Sequence, residues 1–273
     1  MIKMRRIYAN WSESDQNYLK SIGIVLESGT GFGSFDIEEG DIYRDLATSF
    51  LSQKREDFSD TQIGTFFSDN EIENSDHYSV TLTTKGYPQP SNDFGYLKQA
   101  YGDYYESSGI RKEGQPSPFI IKGEPKWKKN EVMFGLTWIW DAIFVEKGFF
   151  NSVLKPMGYV SREVLINLKG DISNSVVQWE IPMCNSEMYL ENSVYDTNNV
   201  CKESSIKKYS QQVLDFLPSF KNPIDQDICL SREFFGEGLI AAHKIIVSKK
   251  MSNFLKEHKV VKHSGQLHPL KPS

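Results

Sequence analysis

Asp36, Glu38, Glu39 and Asp41 lie within six positions of one another. Carboxylates this close can hold different protonation states, the requirement for an acid–base pair, and they can also hold a metal. No histidine lies near them. Alternating acids just ahead of a helix instead suit a solvated first turn that complements the helix dipole. The acidity extends further: from Asp36 to Asp76 twelve carboxylates face only Arg44, Lys54 and Arg55. Such a face attracts a basic partner. Asp36, Glu38, Glu39 and Asp41 are its first candidate residues, and Asp69, Glu71 and Glu73 its second.

Other residue types bear on chemistry less directly. Gly29, Gly31 and Gly33 follow a short apolar run, as a phosphate-cradling loop does. The third glycine comes one position early for GxGxxG and no GK[ST] follows, so a turn is expected. Asp225 and Asp227 form a bare DxD, read as the turn before a strand at Ile228, Cys229 and Leu230. His258, His263 and His268 recur every five residues, which does not stack ligands on one helical face. With His243 and the surrounding lysines they read as a solvated basic terminus. Trp127, between Lys126 and Lys128, offers base stacking with phosphate neutralisation. Trp138, Trp140, Phe144, Phe149 and Phe150 read as core or as partner anchors. Cys184, Cys201 and Cys229 fit neither a disulfide framework nor a CxxC pair and read as reduced. No GxSxG, HExxH, EF-hand, Walker or CxxC motif occurs, so no catalytic residue, metal or cofactor is expected.

The elements that must carry these residues follow from periodicity and composition. The 273 residues are 39% hydrophobic and 25% charged, with net charge -5. That profile excludes disordered and fibrous classes and argues against general nucleic-acid or anionic-membrane binding. Residues 1–100 hold 9 Lys/Arg against 16 Asp/Glu, so the acidity is N-terminal. The start is charged like an export signal, but Asn10, Ser12, Glu13 and Asp15 interrupt any apolar stretch. The longest apolar-rich window, 133–145, is broken by Thr137 and Asp141, so a cytoplasmic protein is expected.

Residues 22–26 read as a strand, 28–34 as a turn-rich link, 41–53 as a helix, 54–76 as a loop and 78–84 as a strand. A Gly/Pro-rich seam at 109–129, around a short strand at 119–121, separates an acidic subdomain, 1–108, from a second, 130–273. After the seam a strand–helix–strand pattern appears twice. Ala142-Ile143-Phe144-Val145 leads into a helix at 146–154 and a strand at 164–166. Lys244-Ile245-Ile246-Val247 leads into a helix at 248–258, with Ser248 as its N-cap. Residues 176–181 add a strand, and 185–205 read as a long polar excursion. The fold class is α+β, with mixed sheets, packed helices and a weak internal repeat.

Phe94-Gly95-Tyr96-Leu97, Phe134-Gly135-Leu136-Thr137-Trp138, Asp227-Ile228-Cys229-Leu230-Ser231-Arg232 and Phe235-Gly236-Glu237-Gly238 occur in an order that resembles the double-CxxCG-motif family of bacterial immunity proteins, related to those of polymorphic-toxin loci. The resemblance covers about residues 94–270. Neither CxxCG pair is present, so no cysteine role carries over. The resemblance implies a cytoplasmic protein that binds and neutralises a cognate toxin in interbacterial competition, and it implies no catalytic residue. An acidic segment on a nearly neutral chain suits a basic toxin domain, with no membrane or nucleic-acid partner. A hydrolase working through a carboxylate pair or Asp225 and Asp227 is the alternative, and a nucleic-acid-binding regulator using Trp127 a third reading.

Overall fold

A computed structural model describes residues 1–27, 29–52, 57–86, 100–167, 170–196, 199–210 and 215–271, with the backbone alone at 50–52 and 199. It is an α+β protein of two compact units, Met1–Glu71 with Val213–Asp215, and Ile72–Gln212 with Phe216–Ser273. The boundary follows Glu71, and the 109–129 stretch lies inside the second unit. There Phe119 and Ile121 are buried in its core.

In the first unit, β1 (Ile2–Trp11), α1 (Glu13–Ser21), β2 (Gly31–Glu38), α2 (Asp41–Ser52) and β3 (Ser59–Phe66) follow in order. They form an antiparallel sheet in the order β2-β1-β3. Alternation decides which face is covered. Ile7, Ala9 and Trp11 are buried with Leu19 of α1 and Leu46 of α2, while Arg6, Asn10, Ser34 and Asp36 alternate outward and stay exposed. Ser12 caps α1, accepting the Asp15 amide while the Asp15 side chain accepts the Ser12 N–H, which satisfies two of the free amides at the helix start.

Three expectations are corrected here. Residues 22–26 form no strand: Ile22, Ile24 and Leu26 alternate as a strand would, but they pack on the core without a partner strand, and the Ile24 N–H donates back to Leu19 O of α1 at 2.9 Å. Strand β2 begins inside the expected turn, because Gly31, Phe32 and Gly33 pair with Trp11, Asn10 and Ala9. The expected loop at 54–76 contains β3 and the short helix α3 (Asp69–Glu73), since β1 supplies a partner that local polarity does not reveal. Its Lys54, Arg55 and Glu56 lie outside the described residues.

The second unit begins with β4 (His77–Val80), β5 (Thr84–Lys85), β6 (Ile120–Ile121), β7 (Met133–Leu136) and β8 (Ile139–Glu146). Helix α4 (Lys147–Phe149) follows, then β9 (Val160–Ile166), β10 (Asp171–Glu180), β11 (Asn199–Val200), β12 (Lys207–Tyr209), β13 (Ile228–Leu230), β14 (Phe234–Phe235) and β15 (Ile245–Ser248). Helix α5 (Lys249–Glu257) and β16 (Leu267–Pro269) complete it. The strands form sheets ordered β5-β7-β8-β10-β9-β6, β11-β12-β14 and β13-β15-β4-β16.

Both expected strand–helix steps exist. Ser248 caps α5 by accepting the Met251 amide at 3.1 Å, and Glu146 accepts the Gly148 and Phe149 amides. After α4 the chain continues as a π-helical turn, Phe150–Leu154, and a 3-10 turn, Lys155–Met157, where Pro156 has no N–H to extend an α-helix. In each case the two strands flank an antiparallel third, β10 in one sheet and β4 in the other. One central strand follows its pair in the chain and the other precedes it, so the two arrangements share a geometry rather than a chain order.

The cysteine reading is overturned. Cys184 and Cys229 are joined by a disulfide, and Cys201 is free and buried. Spacing along the chain carries no sign of this bond. The two segments are brought together by backbone pairing, with Cys184 N–H donating to Leu230 C=O at 2.7 Å and Leu230 N–H to Pro182 C=O at 2.8 Å. Nor are residues 185–205 simply polar: Met188, Leu190, Tyr195 and Cys201 are buried. The terminus is not a solvated tail either, since Leu267 and Leu270 are buried and β16 pairs with β4.

Candidate functional site

Most of the sequence-predicted carboxylates are already engaged. Strand register sets Asp36 opposite Arg6, and the guanidinium binds it through two nitrogens at 2.7 and 2.9 Å, which holds the Asp36 carboxyl below its usual range. Glu39 lies 3.8 Å from Arg5, and Asp41 is 2.5 Å from Arg44. Glu71 takes the Met1 amino group at 2.6 Å and caps with Ser68, and these contacts pull its carboxyl down to about 2. Glu38, Asp69 and Glu73 have no ion pair among the described residues. The structure therefore does not gather the seven acids into one reaction centre. It does place Asp36 and Glu38 on the outer face of β2, the face that also carries Phe32, 70% exposed, with its ring 6.5 Å from that of Tyr8.

The other sequence candidates are structural fasteners. Asp227 accepts the Ser248 hydroxyl at 2.8 Å and the Lys250 ammonium at 2.7 Å, and Asp225 accepts from Asn185 at 3.2 Å. Trp127 packs on Phe134 at 5.2 Å between centroids, with the Lys85 ammonium 5.0 Å over its ring, so the indole is committed to the core edge. His258 packs against Phe149 and Phe254, and the His268 ring meets the Tyr195 hydroxyl at 3.3 Å. Among the described residues no group of three or more His, Cys, Asp or Glu could hold a metal.

A polar cluster missed from sequence lies in the second unit. Asp141 on β8 is 7% exposed and accepts the Tyr101 hydroxyl at 3.1 Å, the His243 backbone N–H at 3.1 Å and the Arg111 guanidinium. Arg111 Cζ lies 4.1 Å from the Tyr101 ring centroid, and His243 packs on Phe234 at 4.2 Å between centroids. Burial alone would raise the Asp141 carboxyl, but Arg111 and His243 outweigh it and hold it down. Burial, then Asp141, pushes the Tyr101 hydroxyl well up. Burial also pulls His243 down to about 4 and Lys244 down to about 8.

Beside this cluster is a pocket of about 410 Å³ walled by Tyr104, Trp138, Trp140, Leu239 and Ile240, with Tyr101, Arg111 and Asp141 at its polar end. Its wall is set by close backbone approach. A Cβ on Gly109 would lie 2.0 Å from Leu239 O, and one on Gly236 would lie 2.3 Å from Ile240 O. The ammonium of Lys208, a residue 1% exposed, donates to Ser108 O at 2.9 Å and Gly238 O at 2.6 Å, fastening the 236–241 loop across that contact.

The buried His243 gives a pH dependence of definite sign. Above pH 6.5 it is neutral whether the chain is folded or not. Between 6.5 and about 4 the unfolded chain takes up a proton that the folded one refuses, so stability falls as acid is added through this window. The loss reaches about 3 kcal/mol by pH 4. Urea midpoints at pH 7.5, 5.5 and 4.5 should fall in that order, with a shallower fall in His243→Leu.

No family model matches the chain, and neither curated proteins nor solved structures yield a match. Among the described residues no helix is long and apolar enough to cross a membrane.

Proposed function

We propose that this chain is an immunity protein that neutralises a cognate bacterial toxin by stoichiometric binding, with the outer face of the β2-β1-β3 sheet as its contact surface. The observation that carries this reading is the uncovered face itself. Helices α1 and α2 pack on one side of the sheet, while Tyr8 and Phe32 stand on the other beside Asp36 and Glu38. An aromatic pair rimmed by carboxylates is the composition of a binding hot spot, in which buried rings supply affinity and the surrounding charge supplies rate. Glu38, which no cation in the described chain neutralises, selects a basic toxin domain. Among the described residues the sequence-predicted acids form no convergent pair, so no reaction is assigned to them.

A cytoplasmic site of action belongs to this proposal. The Cys184–Cys229 disulfide bears on it, because cytosolic thiol pools keep most structural disulfides open. An oxidising compartment is the second reading that this bond favours. Thiol counting on protein trapped by alkylation in living cells distinguishes the two.

The binding test is co-purification with the toxin encoded beside its gene. A salt-sensitive complex and restored growth are expected. Phe32→Ala should weaken the complex by about 2 kcal/mol or more, while Glu38→Lys should mainly slow association at low salt. No complex, or a complex indifferent to both substitutions, contradicts the reading.

A further inference from the structure

The pocket beside Asp141 has the makings of a ligand site. Its walls are aromatic and aliphatic and its volume falls within the range of small-molecule sites. Its shape is set before anything binds, because the 236–241 loop is held by Lys208 and by two backbone contacts that leave no room for a side chain at Gly109 or Gly236.

The polar end decides what the occupant carries. Arg111 is nearly buried, with 11% of its side chain exposed. Its hydrogen bond goes to Asp141 and its Cζ lies over the Tyr101 ring, with the Tyr101 hydroxyl as its other polar neighbour, so of its five N–H groups some remain without a protein acceptor among the described residues. None of these nitrogens is sealed from solvent. A donor at the end of an apolar pocket calls for an acceptor on the ligand. The charge, however, is already cancelled. Asp141 neutralises Arg111, and His243, kept uncharged at neutral pH by burial, hydrogen-bonds the carboxylate through its backbone N–H and adds no second cation. A carboxylate or phosphate entering here would meet Asp141 without a spare cation to offset it. A neutral oxygen meets no such repulsion.

We infer that this pocket binds an uncharged, planar, apolar small molecule whose single carbonyl-type oxygen accepts from Arg111, with the rings of Trp138 and Trp140 and the Leu239–Ile240 wall enclosing its body. Trp140, 44% exposed, and Leu239, 62% exposed, form the mouth and would be covered by the ligand. The inference concerns the second unit alone and stands apart from the toxin reading.

Three probes of nearly one shape test it by equilibrium dialysis against the full chain: 2-acetylnaphthalene, 2-ethylnaphthalene and 2-naphthoate. The ketone should bind saturably and about tenfold more tightly than the ethyl compound, which lacks the acceptor. It should also exceed the naphthoate by about tenfold, since the anion faces a buried carboxylate. Trp140→Ala and Leu239→Asn change exposed positions, so they should preserve the fold while each weakens the ketone about tenfold. No saturable binding overturns the inference. So does a naphthoate or an ethyl compound that binds as well as the ketone, or a ketone affinity that neither substitution lowers.

Discussion

Asp141→Ala will lower the stability of the second unit by about 3–5 kcal/mol, the cost of removing one partner from a buried ion pair. The carboxylate does three things at once. It balances Arg111, and it accepts from Tyr101 and from the His243 amide. Its removal leaves a cation, a hydroxyl and an N–H short of acceptors in a place where water reaches poorly, and each unmet group adds its own desolvation penalty. Arg111→Met combined with Asp141→Leu should recover much of the loss, because a pair replaced by apolar groups of similar size sheds the charge as well as the bond. Urea denaturation of the two variants and wild type checks this. A single substitution costing under about 1 kcal/mol would mean that the pair is solvated and not structural.

Opening the Cys184–Cys229 bond is expected to cost about 4 kcal/mol, from the entropy of a loop spanning 45 residues in the unfolded chain. The native state should change little, since the backbone bonds from Cys184 to Leu230 and from Leu230 to Pro182 hold the two segments together independently. Thermal unfolding with and without a phosphine reductant measures the difference, and the double Cys→Ala variant should match the reduced protein. If reductant leaves the transition unmoved, the two residues are thiols in solution.

What could be read from the sequence follows from the range of the interactions. Helix α2, the Ser248 cap and strands β8, β10 and β15 write their periodicity or their cap into a few adjacent residues, and they stand where expected. Strand β3 was invisible because its partner is β1, more than fifty residues earlier, and its own residues are mostly polar, with Ile63 and Phe66 too isolated to mark a face. Residues 22–26 failed in the opposite sense, with alternation present but no strand beside them. The first resembling motif, 94–97, lies outside the described residues.

The candidate site divides the same way. An acidic segment can be counted from sequence, but Asp36 meeting Arg6 is a matter of register. The Tyr101–Arg111–Asp141–His243 cluster draws on three separate stretches, residues 101–111, β8 and the segment just before β15. Its one local trace was Asp141 itself, a carboxylate inside the most apolar window of the chain, where an acid must have a buried partner.

The place of β4 in its sheet has a consequence for synthesis. Its neighbours are β15 and β16, and Ser75 just before it donates to Leu270, 195 residues further along. At ribosomal speeds of roughly 5–20 residues per second, the nascent strand waits about 10–40 s for its flanks to emerge. Through that interval both its edges are open to other chains, so the yield of folded protein should depend on how well the cell shields unfinished polypeptides.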